Sequence, residues 1–431
     1  MKKKVLIISY TYPPANVPAA QRPYVIAKYL DKTKFEVSVI SCGNSDSSLG
    51  FDEHFNEELE NVNLIKIDAP FASKSNALRE HKMSTQKKGF KSFLKSRTLK
   101  LISSSVVPDR GIIWYPSVIK YLKKNTEFIS GLDIVFTTSP FFTNHLIGKY
   151  VKNINPAVKW FVDVRDFHYV EHFQHLKGIK GYLNKSIERK VFKKANSLIF
   201  ISNAMRDVYA TYYKDLSAKM KVVYNGFDLE DFENFNIDVI NNEKLHIFYA
   251  GSFYGGARSP LPLFRILDIV FEDDLISPDR VQVNIAGTLE PELRVQIDQF
   301  KSSECLNFMG KLERSKALEM LTKSTLLWLI VTKNITHYTG VPLKMYEYMA
   351  ARRPIINFAP NKSESSAIIT ENKLGWNFDE DEDSMNTMVM RFQEIITSFN
   401  NNTLSGSLSD QILKKYSRKD QTSQIEKLFN D

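Results

Sequence analysis

Short apolar runs recur along the chain, with longer amphipathic segments between them. The runs are apolar at nearly every position instead of alternating, as in VLIISY (5–10) and TLLWLIV (325–331). Strands of a parallel sheet that is covered by helices on both faces have this pattern. The sequence therefore predicts an α/β, doubly wound fold with strands at 5–10, 35–41, 62–68, 133–139, 158–164, 197–202, 221–226, 245–252, 281–287, 306–310, 325–331 and 354–359.

A polar, acidic stretch at 229–244 divides these runs into two groups of similar size. We therefore expect two facing Rossmann-like domains, at 1–228 and 245–408, with a ligand cleft where the carboxyl ends of their strands meet. The last segment, 409–431, has apolar residues at helical spacing and is predicted to form a final helix.

The charge balance admits three classes of partner. The chain has 58 Lys and Arg against 49 Asp and Glu, a net charge of +9, which suits nucleic acid, a membrane surface or anionic small substrates. Much of the excess lies in 71–100, which holds nine basic residues and one acid, Glu80. Residues 71–105 fit an amphipathic helix on an anionic membrane, or a solvated basic helix that packs on its own domain. Nucleic acid is disfavoured, because the aromatic and basic platforms of known modules are missing.

The cysteine content and the apolar runs bear on location. Cys42 and Cys305 are the only cysteines and lie far apart, so they predict neither a disulfide framework nor a metal site, and they suit a reducing compartment. No run approaches the ~20 apolar residues of a membrane span. We expect a cytoplasmic protein, or one bound peripherally at the inner face of the cytoplasmic membrane.

Candidate polar residues follow three strands of the first half. The loop at 9–22 lacks the G-x-G-x-x-G turn of dinucleotide sites, and a helix is predicted to begin near 18–21 with Arg22 in its first turns. His145 is expected early in the helix after the fourth strand. Asp163 and Arg165 share one face of the fifth strand, close enough to pair, and Asp166 ends it. These charges predict either an internal salt-bridge network or a polar pocket.

The second half offers a site for an anion. Gly251 lies in the glycine-rich segment YAGSFYGGARSP (249–260), where the backbone can approach a phosphate. A helix is predicted from Leu343 to Ala351 with Lys344 in its first turn, where a cation opposes the helix dipole unless an anion binds. Glu347 lies one turn later on the same face, so a surface ion pair between the two side chains is the alternative.

Taken in order, these motifs resemble retaining glycosyltransferases of the GT-B fold, in particular the GT4-type family of bacterial surface-polysaccharide synthesis. The resemblance covers nearly the whole chain. It rests on the YPP loop with Arg22, TSP-x-x-x-x-HL with His145, the Asp163-x-Arg165-Asp166 segment, VVYNGFD (222–228), YAGS (249–252), FMGK (308–311) and P-x-K-x-x-EYMA (342–350).

The resemblance implies a UDP- or GDP-sugar donor on the C-terminal half, a lipid-linked or glycan acceptor on the N-terminal half, retention of configuration, and no obligatory metal. The transferred group would be hexosyl or N-acetylhexosaminyl, and the helix within 409–431 would cross back onto the N-terminal domain. The residues that it assigns to donor binding are Gly251, Ser252, Arg258, Lys311, Gly340, Lys344 and Glu347. It assigns His145, Asp166 and Thr339 to catalysis, and Arg22, Asp163 and Arg165 to the acceptor side.

The sequence also departs from the family pattern. Thr339 stands where the first glutamate of a Glu-x7-Glu motif is expected, Ala19-Ala20 replaces a glycine pair, and Arg258 lacks a lysine about five residues later. A threonine hydroxyl can bond a sugar but cannot stabilise positive charge as a carboxylate does. A sugar-nucleotide epimerase of the same two-domain fold is the alternative function, and its product from donor alone would distinguish it.

Overall fold

The computed structural model describes residues 1–15, 17–44, 59–70, 107–169, 178–235, 243–404 and 409–431. The chain forms two compact units. Met1–Ile201, Arg206–Val223 and Thr422–Asp431 make the first, and Ser202–Met205 and Tyr224–Gln421 make the second. The predicted membrane contact at 71–105 lies outside the described residues and stays a prediction.

The first unit contains a seven-stranded parallel sheet in the order β3-β2-β1-β4-β5-β6-β7. The order begins at the centre and winds outward first in one direction and then in the other, which confirms the predicted doubly wound fold. Its strands are β1 (Lys3–Ile8), β2 (Phe35–Cys42), β3 (Val62–Ile67), β4 (Ile134–Thr138), β5 (Lys159–Val164), β6 (Ser197–Phe200) and β7 (Met220–Val222).

Helices cover both faces of this sheet, which is why its strands are apolar at successive positions. The helix α1 begins at Pro18, as predicted, and packs on one face through Tyr24 and Ile26. Helices α2 to α5 form a layer of neighbouring helices, and α4 of this layer packs against β4 and β5. The helices are α1 (Pro18–Tyr29), α2 (Tyr115–Lys124), α3 (Thr126–Ser130), α4 (Thr143–Ile154), α5 (Gly178–Lys194) and α6 (Asn203–Tyr212).

The second unit contains a six-stranded parallel sheet in the order β10-β9-β8-β11-β12-β13. The sequence did not predict β13, an edge strand of only four residues that includes Gly375. A side chain there would overlap the backbone of Ile355. The strands are β8 (Leu245–Ser252), β9 (Val281–Thr288), β10 (Leu306–Gly310), β11 (Leu326–Ile330), β12 (Ile355–Phe358) and β13 (Gly375–Phe378).

Two apolar cores, one on each face, hold helices against the second sheet. Phe264 and Phe392 belong to one core, and Leu318 and Met345 to the other. The helices are α7 (Leu261–Glu272), α8 (Pro291–Ile297), α9 (Arg314–Lys323), α10 (Ile335–Tyr338), α11 (Leu343–Ala350), α12 (Glu364–Asn372), α13 (Met385–Asn400), α14 (Asp410–Lys415) and α15 (Arg418–Asn430).

The end of α15 completes the core of the first unit. Phe429 is fully buried and packs against Phe35, Phe136 and Phe161, which lie on three strands of the first sheet. The chain therefore returns from the second unit to the first at its C-terminal end. Over the ranges that the structure describes, no helix has the length and apolar character needed to span a membrane.

Candidate active site

Lys344 and Gly251 meet where β8 ends and α11 begins. The Lys344 Nζ is buried, 4.2 Å from the centre of the Tyr249 ring, and has no hydrogen-bond partner among the described residues. Gly251 has a φ of +148°, and a Cβ atom at this position would lie 2.7 Å from that Nζ. A buried cation without a partner costs free energy, more so in the first turn of a helix. The arrangement therefore favours an anion as ligand.

Arg258 adds a second cation to this site. Its guanidinium lies 4.7 Å from the centre of the Tyr254 ring. Burial, and then the charge of Arg258, lower the pKa of Lys344 to about 7, against the opposing effect of Glu347. The sequence showed no lysine close to Arg258 along the chain. In the fold, Lys344 of α11 is the lysine that lies near it.

Glu347 pairs with Arg314, and the predicted alternative of a Lys344–Glu347 ion pair is not found. Arg314 donates from Nη1 to the Glu347 Oε1 at 2.9 Å and from Nη2 to Asp231 at 2.8 Å. The Glu347 side chain is 32% exposed, and the described residues give its carboxylate no other hydrogen bond. One carboxylate oxygen is thus fixed while the other remains open to a ligand.

The other predicted donor residues differ in their surroundings. Ser252 follows Gly251, and its hydroxyl accepts a hydrogen bond from Thr288 at 2.9 Å. Gly340 lies between α10 and α11, and a Cβ there would have its nearest neighbour, the His337 carbonyl oxygen, at 3.8 Å. Lys311 is exposed just after β10, and no described contact joins it to Lys344. Of the predicted set, the structure brings Gly251, Arg258 and Lys344 together, with Glu347 one turn away.

Thr339 serves the local helix in this structure. Its hydroxyl donates to the Ile335 carbonyl at 2.6 Å, and its own carbonyl accepts from the Ser202 hydroxyl at 2.5 Å. The side chain is buried, with 2% of the residue exposed. The Thr339 hydroxyl therefore donates its proton to the carbonyl of the first residue of α10.

The charged cluster of the first unit is internally paired. Arg22 binds Asp163 through Nη2 at 2.8 Å and also donates to the Val223 carbonyl at 3.0 Å. The Thr138 hydroxyl donates to the same carboxylate at 2.6 Å. The expectation that Asp163 pairs with Arg165 is wrong, because α1 carries Arg22 over the sheet to Asp163. Of the two predicted environments, this cluster is the internal salt-bridge network.

Arg165 instead binds backbone at the start of α1. Its guanidinium donates to the carbonyls of Ala19 at 2.8 Å and Pro18 at 3.1 Å, and its own N–H donates to the Ser139 hydroxyl. The position therefore joins the loops that follow β1 and β4. Asp166, one residue further, is exposed at the end of β5.

His145 lies in the first turn of α4, as predicted, but is 1% exposed. Its Nδ1 is 2.8 Å from the Thr137 hydroxyl, and its Nε2 has no partner among the described residues. Burial, and then the neighbouring His168, lower the pKa of His145 to about 3. His145 is therefore neutral at physiological pH, with Nδ1 committed to Thr137.

Known protein families were compared with the chain to interpret the clusters at Lys344 and at Arg22. Residues 22–231 match the model described as Glycosyltransferase Family 4. This part of the chain belongs to glycosyltransferase family 4. Enzymes of this family use nucleotide-sugar donors. No curated protein matches the glycosyltransferase by sequence.

Solved structures share the complete fold at low sequence identity. Sucrose-phosphate synthase from Thermosynechococcus elongatus has 12% identity and a TM-score of 0.61, over 100% of the glycosyltransferase and 98% of that chain. An S. aureus TarM variant solved with fondaparinux, α-GlcNAc-glycerol and UDP has 12% identity and a TM-score of 0.56, with 100% of both chains covered. A protein assigned as a UDP-N-acetylglucosamine 2-epimerase from Listeria monocytogenes has 12% identity and a TM-score of 0.52, over 99% and 95%. The fold is GT-B, and the glycosyltransferase assignment rests on the family match of residues 22–231.

Sequence reasoning missed Arg314, Asp231 and His337. Arg314 reaches Glu347, and Asp231 reaches Arg314, only through folding, since 33 and 83 positions of the chain separate these pairs. His337 lies in α10, where burial and then Arg258 lower its pKa, and its Nδ1 is 2.5 Å from the Thr332 hydroxyl. No motif spacing in the sequence singles out these residues.

A buried carboxyl of the first unit was also missed. Glu188 of α5 accepts from the Tyr213 hydroxyl at 2.6 Å and from the Tyr169 N–H at 3.1 Å. Burial raises the pKa of Glu188 to about 8, so it is largely protonated at neutral pH. Across the part of the glycosyltransferase that the structure describes, no group of three or more His, Cys, Asp and Glu side chains is arranged to hold a metal ion.

Proposed function

We propose that the protein is a retaining glycosyltransferase that moves a hexosyl or N-acetylhexosaminyl group from a nucleoside-diphosphate sugar to a lipid-linked or surface-glycan acceptor. Its place would be the synthesis of capsule, O-antigen or exopolysaccharide. Donor binding is assigned to residues 245–408 and acceptor binding to 1–228, with the C-terminal helix of 409–431 packing back on the acceptor domain. The observation that carries the proposal is the buried, unpartnered Lys344 amine beside Arg258 and Gly251.

The cations fit the diphosphate of a nucleotide sugar. When the bond between the anomeric carbon and the phosphate oxygen breaks, negative charge develops on the leaving diphosphate. Lys344 and Arg258 would stabilise this charge, and the N–H groups at the start of α11 would add to it. Gly251 and Gly340 leave the backbone accessible at this place, and Ser252 offers a hydroxyl. Lys311 keeps only a peripheral role in donor binding.

Glu347 fits the ribose of the nucleotide. An ionised carboxylate accepts hydrogen bonds from two vicinal hydroxyls, and its open oxygen is available for them. Arg314 fixes the other oxygen and thereby the orientation of the group. We assign Arg314 as a positioning residue for Glu347.

The acceptor side divides into contacting and supporting residues. We assign Asp166, which is exposed at the end of β5, and the neutral His145 to the reacting sugar and acceptor hydroxyl. Arg22 and Asp163 bind each other, and Arg165 donates from both Nη atoms to backbone carbonyls at the start of α1, so we assign the three residues to holding α1 and its preceding loop in place. Thr339 is assigned to the support of α10, since its hydroxyl bonds Ile335.

Transfer is tested with a panel of UDP-, GDP- and dTDP-sugars and a polyprenyl-diphosphate-linked acceptor, with and without chelator. The proposal expects transfer from at least one donor, with the anomeric configuration of that donor retained in the product. No transfer and no donor hydrolysis with any member of the panel would count against it. The TarM structure, which was solved with UDP and α-GlcNAc-glycerol, supports starting with UDP-N-acetylglucosamine.

Epimerisation of a sugar nucleotide is the second candidate, favoured by the structural similarity to the Listeria protein. Incubation with donor alone separates the two. An epimerase converts the donor sugar into its isomer without acceptor, whereas a transferase returns the donor or releases free sugar and nucleoside diphosphate.

A further inference from the structure

The solvent face of α5 changes character along its length. Ile179, Tyr182 and Leu183, at spacings i, i+3 and i+4, are 81%, 73% and 43% exposed. They form one apolar strip over the first two turns of the helix. Further along, the same face carries Lys190 and Lys194, as the 3.6-residue period requires. An apolar strip and a basic strip therefore lie end to end on one exposed surface.

Lysines of α4 extend the basic strip. Burial, and then the charges of Lys190 and Lys194, lower the pKa of Lys149. Burial, followed by Lys194 and Lys219, lowers the pKa of Lys152. Both shifts show that like charges are held near each other, which costs stability unless an anion offsets it. Lys219 and Lys152 also bond backbone carbonyls, which keeps their stems at this surface.

The whole helical layer on this side is basic. The four helices α2 to α5 have two acidic residues, and one of them, Glu188, is buried. Their eleven basic residues are Lys120, Lys123, Lys124, Lys149, Lys152, Lys180, Lys185, Arg189, Lys190, Lys193 and Lys194. The ion pair of Arg189 with Asp215 at 2.9 Å neutralises one of these charges.

The apolar strip lies near the proposed acceptor residues. His168 follows β5 two residues after Asp166, and the ring of the next residue, Tyr169, lies 5.6 Å from the amine of Lys185 in the second turn of α5. The His168 ring also stacks on Phe142, the residue that precedes α4, with 4.0 Å between ring centres. The first turns of α5 therefore lie at the sheet edge where β5 ends.

We propose that the solvent face of α5, with Lys149 and Lys152 of α4, binds an anionic phospholipid surface. Ile179, Tyr182 and Leu183 enter the interface, where an aromatic side chain with a polar tip is favoured. The lysines bind lipid phosphates. An acidic protein or a nucleic acid would satisfy the lysines but would leave the apolar strip unexplained. This surface is separate from 71–105, and its test needs no sugar donor.

The test is co-sedimentation of the full chain with phosphatidylcholine vesicles that contain or lack phosphatidylglycerol. The wild type is expected to bind only the anionic vesicles, and less as salt is raised. The variant Lys190→Gln/Lys194→Gln should bind about fivefold more weakly for each lysine removed. The variant Ile179→Gln/Tyr182→Gln/Leu183→Gln should lose the fraction of binding that survives high salt.

Matched controls lie in the second unit. Lys316→Gln/Lys323→Gln removes the same charge, and Val295→Gln/Met390→Gln changes side chains that are 62% and 66% exposed. Both controls should bind like the wild type, and circular dichroism should show all variants folded. Wild-type binding by both α5 variants would overturn the proposal, as would failure of the wild type to bind anionic vesicles at low salt. Equal binding to neutral vesicles would overturn the role of the lysines. Loss of duplex DNA binding in the lysine variant without loss of vesicle binding would assign the surface to nucleic acid instead.

Discussion

The charged residues at the strand ends of the first unit are paired, whereas the cations at the corresponding place in the second unit are not. Arg22 and Asp163 bind each other and further protein groups, with 3% and 0% of each residue exposed. Lys344 has a buried amine with no described partner and faces a second cation, Arg258. Both places hold buried charged groups close to the end of a strand. The two places differ in whether the charged groups have partners within the protein. This difference distinguishes the structural cluster at Arg22 and Asp163 from the candidate binding site at Lys344.

The largest effect is expected from breaking the paired cluster. Asp163→Ala leaves the Arg22 charge buried and alone, which should lower the free energy of unfolding by about 3–5 kcal/mol. Urea denaturation measures this loss. The double variant Arg22→Met/Asp163→Leu should recover much of it, because no charge is left unpaired. A loss below about 1 kcal/mol in the single variant, the range of exposed pairs, would show that this pair is not the support we describe.

Glu188 is a buried carboxyl of the first unit that, unlike Asp163, has neutral hydrogen-bond donors as partners and no cation. Its folded pKa of about 8 exceeds the ordinary 4.5, so between these values the unfolded chain releases a proton that the folded chain keeps. Stability should therefore fall with rising pH across this window, by about 2 kcal/mol between pH 5 and pH 7. Glu188→Gln should remove this part of the slope in urea denaturation at the two pH values. An unchanged slope would mean that Glu188 ionises normally in the fold.

Removing the unpartnered cation Lys344 should lower ligand affinity but not stability. Lys344→Met leaves no charge unpaired, so the free energy of unfolding at pH 7 should stay level or rise. Affinity for a nucleoside diphosphate should fall about 10- to 100-fold, the range expected for a lost charged hydrogen bond. Calorimetric titration measures the affinity, with Lys316→Met as an exposed control. A large loss of stability without loss of affinity would make Lys344 a structural residue like Arg22.

Arg314 should have a smaller and more selective effect. If Glu347 binds the ribose, Glu347→Ala should erase the preference for a ribonucleoside over a 2′-deoxyribonucleoside diphosphate. Arg314→Ala should reduce that preference about three- to tenfold by releasing the carboxylate, and Arg314→Lys should restore part of it. Equal weakening of both ligands in the Arg314 variants would indicate a merely structural role. Retention of the preference in Glu347→Ala would instead remove the ribose assignment.

Local pattern was sufficient to predict most of the fold. Strands buried on both faces, such as Leu326–Ile330, are apolar throughout, and Pro18 and Pro342 mark helix starts that the structure confirms. The edge strand Gly375–Phe378 has only one buried residue and carries no such run. Edge strands of this kind escape a pattern that depends on burial.

The site was less accessible to sequence reasoning. The glycine at 251 and the lysine at 344 each have a local signal in the sequence, which is a glycine-rich segment after a predicted strand for the first and a cation in a first helical turn for the second. The pairing of charged side chains has no such local signal. Arg22 binds Asp163, which is 141 positions away in the chain, and Arg314 binds Asp231, which is 83 positions away. Whether a charge is satisfied is a property of the folded environment, which is why the sequence left Asp163 and Arg165 with two open interpretations.

The most direct test of the central claim is the pH dependence of UDP and GDP binding to the wild type and to Lys344→Met. Lys344 has a pKa of about 7 without ligand, and a bound diphosphate raises it, because the anion favours the charged amine. The diphosphate itself is fully ionised above about pH 7. Wild-type affinity should therefore be highest near pH 7 and fall by up to about tenfold per pH unit above it, while Lys344→Met binds weakly with a flat profile between pH 7 and pH 9. A flat wild-type profile over that range, or equal affinity in the two proteins, would contradict the account.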